Sequence, residues 1–196
     1  MQPVQKDDAQ YTLSIDGVPL SSISPETLRE RLITVPQDPV FLPKGSTFKD
    51  NLDPLGVATT EQCRQVLQAM DLWTMVESQG GLDGVLSESS LSHGQRQIFN
   101  IARAVLKRRT TGRSILFLDE FTSSLDADTE RDMLAMVDRE FAGCTIVMVV
   151  HRVQIVSEFC DRVLVLDRGR IVEVGDPRML ARVDETWFAS LLAAGG

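Results

Sequence analysis

Ile115-Leu116-Phe117-Leu118-Asp119-Glu120 is a short apolar run that ends in two carboxylates. A run of this length reads as a buried strand, here over 114–118, which delivers Asp119 and Glu120 at its end. Upstream, Leu91-Ser92-His93-Gly94-Gln95 opens a helix over 93–109. Ser92 and Gln95 have the S-x-x-Q spacing of a capping box, and Ile98, Ile101, Ala102 and Val105 share one apolar face. Thr110-Thr111-Gly112 stops that helix. Downstream, a helix over 128–141, a strand over 145–150, a short helix near 154–160 and a strand over 162–166 follow. Strand, helix, strand, helix, strand predicts an α/β fold with a parallel sheet and helical crossovers. Asp167-Arg168-Gly169-Arg170 turns the chain into Ile171–Val174 as a hairpin, and 177–193 reads as a C-terminal helix.

Before this core, residues 1–10 are polar and patternless, and a loose, disordered tail is expected there. Asp16-Gly17 supplies a turn after a strand that starts near Tyr11. Ser24-Pro25 starts a short helix, with Pro25 at the first helical position. Leu32–Val35 is a short strand. Residues 59–78 are expected to form one helix, with Val66, Met70, Trp73 and Val76 on one stripe.

Three apolar strands each run into a polar side chain at one end: 32–35 into Gln37, 114–118 into Asp119 and Glu120, 145–150 into His151. Ligands of open parallel sheets sit beyond the carboxyl ends of the strands. Each residue has an ordinary reading alone: Gln37 in a turn, His151 as a structural histidine, Asp119 and Glu120 capping a helix. Together they form a candidate site for magnesium-dependent handling of a nucleoside triphosphate. Asp119 suits Mg²⁺, which prefers oxygen ligands, and Gln37 offers an amide oxygen to metal or water. Glu120 suits the orientation or deprotonation of an attacking water. His151 suits a hydrogen bond to the terminal phosphate. The 93–109 helix start presents free N–H groups and a positive dipole end beside Ser92, Gly94 and Gln95.

At 196 residues, 43% hydrophobic and 24% charged, the chain has the composition of a globular domain with a real core. A net charge of −8 argues against a nucleic-acid surface. The basic run Lys107-Arg108-Arg109 reads as a solvated helix end. Cys63, Cys144 and Cys160 lack C-x-x-C spacing and read as buried or half-buried thiols of a reducing compartment. No apolar run is long enough for a signal peptide core or a bilayer span.

Gln37, Leu91–Gln95, Ile115–Glu120, Ser123-Ser124-Leu125-Asp126 and His151 occur in this order. In that order they resemble the Q-loop, signature motif, Walker B strand with its catalytic Glu, D-loop and switch His of an ABC transporter nucleotide-binding domain. The resemblance runs from about Tyr11 to the C-terminus. Val35–Phe41 and Asn51–Pro54 are similar to the second such domain of the C subfamily, the multidrug-resistance-associated exporters, and Glu120 agrees with a second domain. His93 departs from the Gly usual in the signature.

The resemblance implies an incomplete P-loop NTPase (RecA-like) parallel-sheet core over 11–44 and 113–180, with an inserted helical subdomain over about 45–112. It implies ATP and Mg²⁺ as ligands and ATP hydrolysis coupled to membrane transport. Gln37, Asp119, Glu120 and His151 would serve the domain's own ATP. Ser92, Gly94 and Gln95 would serve ATP held by a second nucleotide-binding domain paired head to tail, and Asp126 would couple the two sites. Transmembrane domains of an exporter would contact the region near Gln37 and 45–90, which places the chain at the cytoplasmic face of a membrane.

No G-x-x-x-x-G-K-[ST] loop occurs in the chain. The resemblance places that loop just before Met1, with the adenine-stacking aromatic further upstream. The first strand and central helix of the core are then expected to be absent, leaving apolar faces of 114–118 and 145–150 partly uncovered. Two other readings compete: an inert remnant or interaction module, and an ABC-type ATPase of DNA maintenance or translation.

Overall fold

The computed structural model describes residues 13–123 and 125–194. The expected loose tail lies outside the described residues. The chain divides into two compact units, residues 1–32 and 33–196, and the division falls inside the 11–44 segment read as core from sequence.

In the first unit, β1 (Ser14–Ile15) and β2 (Val18–Pro19) form an antiparallel hairpin. Asp16 and Gly17 both have positive φ, as a two-residue hairpin turn of this hand requires. Ser24 Oγ accepts from Thr27 N at 3.2 Å and caps α1 (Pro25–Arg31). Pro25 sits where a helix has no use for its missing N–H.

The chain continues through β3 (Leu32–Val35) into four helices: α2 (Phe48–Leu52), α3 (Thr60–Ala69), α4 (Trp73–Ser78) and α5 (His93–Thr111). The helix expected over 59–78 is therefore two. Asp71 adopts φ 54°, Leu72 N donates to Leu67 O at 2.9 Å and Asp71 N to Gln68 O at 3.1 Å. This is a Schellman stop with Asp in the place usually taken by Gly. The apolar stripe still packs inward: Val66, Met70 and Val76 are fully buried. Gly84 is required by close approach. An added Cβ would lie 2.1 Å from Gln79 O, while Gly84 O accepts from Phe48 N. Gly84→Ala is expected to cost about 1–3 kcal/mol or more in overpacking, measured by chemical denaturation.

β4 (Ile115–Asp119), α6 (Ala127–Glu140) and β5 (Thr145–Val149) follow. One sheet orders as β3-β4-β5, with β4 and β5 parallel and Asp119 opposite Val149. The three strands that end in candidate site residues are thus the three members of this sheet. Ile33 and Val35, Leu116 and Leu118, the α5 residues Phe99, Ile101, Ala102 and Val105, and the α6 residues Met133, Leu134 and Val137 share one buried cluster. Period-2 burial in the strands and 3.6-period burial in the helices are the physical basis of this layering.

The chain ends in α7 (Val156–Phe159), β6 (Val163–Asp167), β7 (Arg170–Gly175), α8 (Pro177–Leu180) and α9 (Trp187–Ala194). The strand expected over 162–166 forms as β6 but does not join the parallel sheet. It pairs antiparallel with β7 through a tight turn in which Arg168 and Gly169 have positive φ. A two-residue loop closes this local pairing at far smaller chain entropy than a crossover.

The single helix expected over 177–193 is also broken. Thr186 Oγ1 accepts from Ala189 N at 3.0 Å, and the Glu173 carboxylate accepts from Phe188 N at 2.8 Å, so a new helix starts at Trp187.

Arg108 is not the solvated helix end expected. It is half-buried, donates to Glu140 O, to Ala142 O at 2.8 Å and to Cys144 Sγ at 3.1 Å, and clasps the turn between α6 and β5. The three thiols are free, with Cys63 buried and the other two half-buried. Burial pushes the Cys63 and Cys160 thiols above the ordinary thiol range.

Apolar faces of both β4 and β5 are partly uncovered, as expected, and apolar surface is exposed on the C-terminal hairpin as well. On β4, Leu116 and Leu118 are covered, whereas Ile115 and Phe117 on the opposite face are only half-buried. Val147 and Val149 on β5 are exposed, as are Leu164, Leu166, Ile171 and Val174 of the β6–β7 hairpin.

Candidate functional site

β4 stops at Asp119, and the next residue, Glu120, turns the chain with φ 41°. A non-glycine residue in this region costs on the order of 1–3 kcal/mol and persists only where its surroundings hold it. Here Glu120 N donates to Val149 O at 3.1 Å, and Ser123 N donates to Glu120 O at 3.0 Å. Asp119 and Glu120 therefore stand beside the end of β5, and His151 follows two residues past that end. Gln37 lies two residues past β3. Its Nε2 reaches Ser123 Oγ at 3.5 Å, the long limit of a hydrogen bond. The structure thus brings Gln37, Asp119, Glu120 and His151 to one edge of the β3-β4-β5 sheet. Gln37, Asp119 and His151 are exposed, and Glu120 is half-buried.

Asp119 and Gln37 offer one carboxylate and one amide oxygen. Among the described residues no three His, Cys, Asp or Glu side chains converge as a metal cage. That donor set fits a hard cation that keeps several waters and takes further oxygens from phosphate, as Mg²⁺ does. It does not fit a metal held by protein alone.

At the start of α5 the capping box forms in both directions. Ser92 Oγ accepts from Gln95 N at 3.1 Å, and Gln95 Oε1 accepts from Ser92 N at 2.9 Å. Around Gly94 an added Cβ would meet nothing within 4 Å, so this turn is open to approach from outside. His93 is exposed, so its departure from Gly crowds no core atom. Ser92→Ala is expected to lower stability by about 1 kcal/mol, with Ser92→Thr retaining most of it, by thermal unfolding. Asp126 caps α6: its carboxylate accepts from Thr129 N at 3.0 Å and Thr129 Oγ1 at 2.7 Å. Those bonds, the backbone one first, hold its carboxyl below the usual range.

Two polar clusters escaped the sequence reading. Glu130 is buried in α6. It accepts from Thr122 Oγ1 at 2.7 Å and pairs with Arg152 at 3.0 Å. It therefore ties the loop after Glu120 to the residue after His151. Its signal was legible: a carboxylate three, four and seven residues before Met133, Leu134 and Val137 stands on the apolar stripe.

The second cluster lies on α5. Gln97 Nε2 donates to Gln37 O at 2.9 Å, and Asn100 Nδ2 donates to Pro36 O at 3.2 Å. Arg103 donates to Asn51 O at 2.6 Å and to Val40 O, and stacks over Phe41 and Phe99. Burial draws the Arg103 guanidinium down to about 10. Gln97 Oε1 is buried without a partner, a cost of about 1–3 kcal/mol.

The sequence profile described as "ABC transporter" matches residues 4–123. The "ABC transporter FGM5" of Gibberella zeae is 48% identical over 185 residues, which cover 91% of this chain and 13% of that protein. The "ABC-type transporter braE" of Annulohypoxylon truncatum is 45% identical over 201 residues, covering 97% of this chain and 14% of that protein. The chain spans about one-eighth to one-seventh of the length of these relatives. A bacterial Atm1-family ABC exporter, solved with ATP bound, superposes with a TM-score of 0.78 at 28% identity, over 93% of this chain and 31% of that one. Together with the parallel β4–β5 pair, this likeness gives the P-loop NTPase fold of ABC proteins.

Proposed function

The chain belongs to the ABC transporter family as one of its nucleotide-binding domains, and from that premise we propose that it binds and hydrolyses ATP within a longer exporter. The observation that carries this reading is the meeting of Gln37, Asp119, Glu120 and His151 at one sheet edge. Asp119 and Gln37 would hold Mg²⁺, which supplies charge neutralisation and orientation of the phosphates. Glu120 orients and deprotonates water, and its backbone strain supports a functional role. His151 hydrogen-bonds the terminal phosphate. Ser92, Gly94 and Gln95 face ATP held by a second domain paired head to tail, and the open turn at Gly94 supports that approach. Asp126 couples the two sites.

We assign the chain to the second nucleotide-binding domain of a C-subfamily-like exporter. The Asn51–Pro54 segment supports this with a defined structure. Asn51 is buried, its Oδ1 accepts from Leu42 N at 2.8 Å, and Asp53 accepts from Ala58 N at 2.7 Å. Leu42, Pro43, Asp53, Pro54 and Leu55 line an open cavity of about 640 Å³, a receptive surface for the ends of membrane-domain helices at the cytoplasmic side. Among the described residues no helix is long and apolar enough to cross a membrane. The exposed valines of β5 and the apolar residues of the hairpin support completion of the core by further polypeptide carrying the phosphate loop.

A second reading, an inert remnant or interaction module, draws on the lack of a G-x-x-x-x-G-K-[ST] run in this sequence. Magnesium-ATP decides between them. The chain, alone and joined to the polypeptide encoded upstream, is assayed for ATP binding and turnover. Magnesium-dependent turnover supports the ATPase reading. Absence of ATP binding in both forms leaves the inert one. An in-frame phosphate-loop coding run upstream of Met1 would independently support the former.

A further inference from the structure

We propose that Gln97 is a positioning residue that holds the main chain of Gln37 at the nucleotide site, with Asn100 as its companion one turn along α5. The inference rests on the ATPase reading above for its catalytic consequence.

Gln37 lies in Pro36-Gln37-Asp38-Pro39, a segment without regular secondary structure and with its first three residues exposed. Two prolines remove donors from that segment, so β3-like pairing cannot continue through it. What fixes it is α5. Gln97 and Asn100, three residues apart on one helical face, donate to consecutive carbonyls, Gln37 O at 2.9 Å and Pro36 O at 3.2 Å. Both side chains are buried, at 2% and 6% exposure.

The orientation of the Gln97 amide is decided by this bond. Turned over, it would set Oε1 against Gln37 O, acceptor against acceptor. In the orientation that donates, Oε1 is left buried with no partner. An orphaned buried acceptor loses as much as one hydrogen bond returns, or more. The side chain therefore adds little net stability, and an apolar residue of similar length would fill the same space without the orphan. The bond's specific effect is to place the Gln37 peptide, whose side chain reaches toward Ser123 in the loop after Glu120. Displacement of a ligand or water-holding group by about 1 Å lowers turnover by as much as 10²-fold.

The test uses the complete exporter carrying Gln97→Met. Thermal unfolding is expected at or above the wild-type temperature. Amide exchange in the peptide covering 37–42 is expected to quicken about tenfold without nucleotide. The turnover number of the ATPase is expected to fall on the order of tenfold, with half-saturating Mg²⁺ raised and half-saturating ATP little changed. Unaltered exchange at 37–42 would overturn the proposal. So would a lowered unfolding temperature with loss spread equally over ATP affinity and turnover, since that is the mark of a residue that only supports the fold. If wild type shows no ATPase activity, the functional reading fails, and the exchange measurement alone judges the clamp.

Discussion

Glu120→Gln is expected to leave ATP binding intact and to lower hydrolysis by about 10²–10⁴-fold, the usual contribution of a positioned general base. The amide keeps the size of the carboxylate and the φ 41° backbone of Glu120. The main-chain bonds that hold that turn, to Val149 O and from Ser123 N, are untouched by the change. Among the described residues the Glu120 carboxylate has no hydrogen-bond partner, so the variant should fold as wild type. The loss would then sit in the turnover number, with half-saturating ATP unchanged. Single-turnover ATP cleavage by the complete exporter reads this directly, and wild-type cleavage by the variant would remove Glu120 from the chemistry.

Glu130→Ala carries the second large effect, and it concerns stability. The carboxylate is buried, takes a hydrogen bond from the buried Thr122 hydroxyl, and faces the partly exposed Arg152. Removing it leaves Thr122 Oγ1 without its acceptor, opens a cavity and strands a guanidinium that must turn to water. The expected loss is about 3 kcal/mol, the lower end for a broken buried pair because Arg152 is already half in solvent. For a chain of this size that is a fall of about 6–12 °C in unfolding temperature. Glu130→Gln keeps an acceptor for Thr122 and should lose markedly less. Equal losses in the two variants would show that the charge pair, and not the Thr122 bond, dominates. Because Thr122 and Arg152 flank the ends of β4 and β5, partial destabilisation should loosen Glu120 and His151 together.

The elements legible in the sequence were those with strong local signals. The Ser92–Gln95 box and the Gly112 stop bracket α5, and the apolar run 115–118 ends in carboxylates as read. The breaks were harder to see. Asp71 stops a helix from the left-handed region, a stop usually signalled by Gly, so 59–78 looks continuous to a periodicity count. The placement of β6 depends on a competition between a local hairpin and a distant sheet, and strand pattern alone cannot rank pairings. At the site, the meeting of three strand ends followed from the rule for parallel sheets. The polar residues that brace it did not: a polar side chain on an apolar stripe, as at Glu130, marks a buried polar group but not its partner, and the partners of Gln97, Asn100 and Glu130 lie 8 to 64 positions away in sequence.

The most direct test is the structure of the Glu120→Gln exporter trapped with magnesium-ATP. The nucleotide's terminal phosphate and its metal are predicted at the end of β4 and β5, with Asp119 and Gln37 within reach of the metal and His151 against the phosphate. A nucleotide bound at the opposite end, beyond Ser114 and Thr145, or a metal remote from Asp119, would contradict the account.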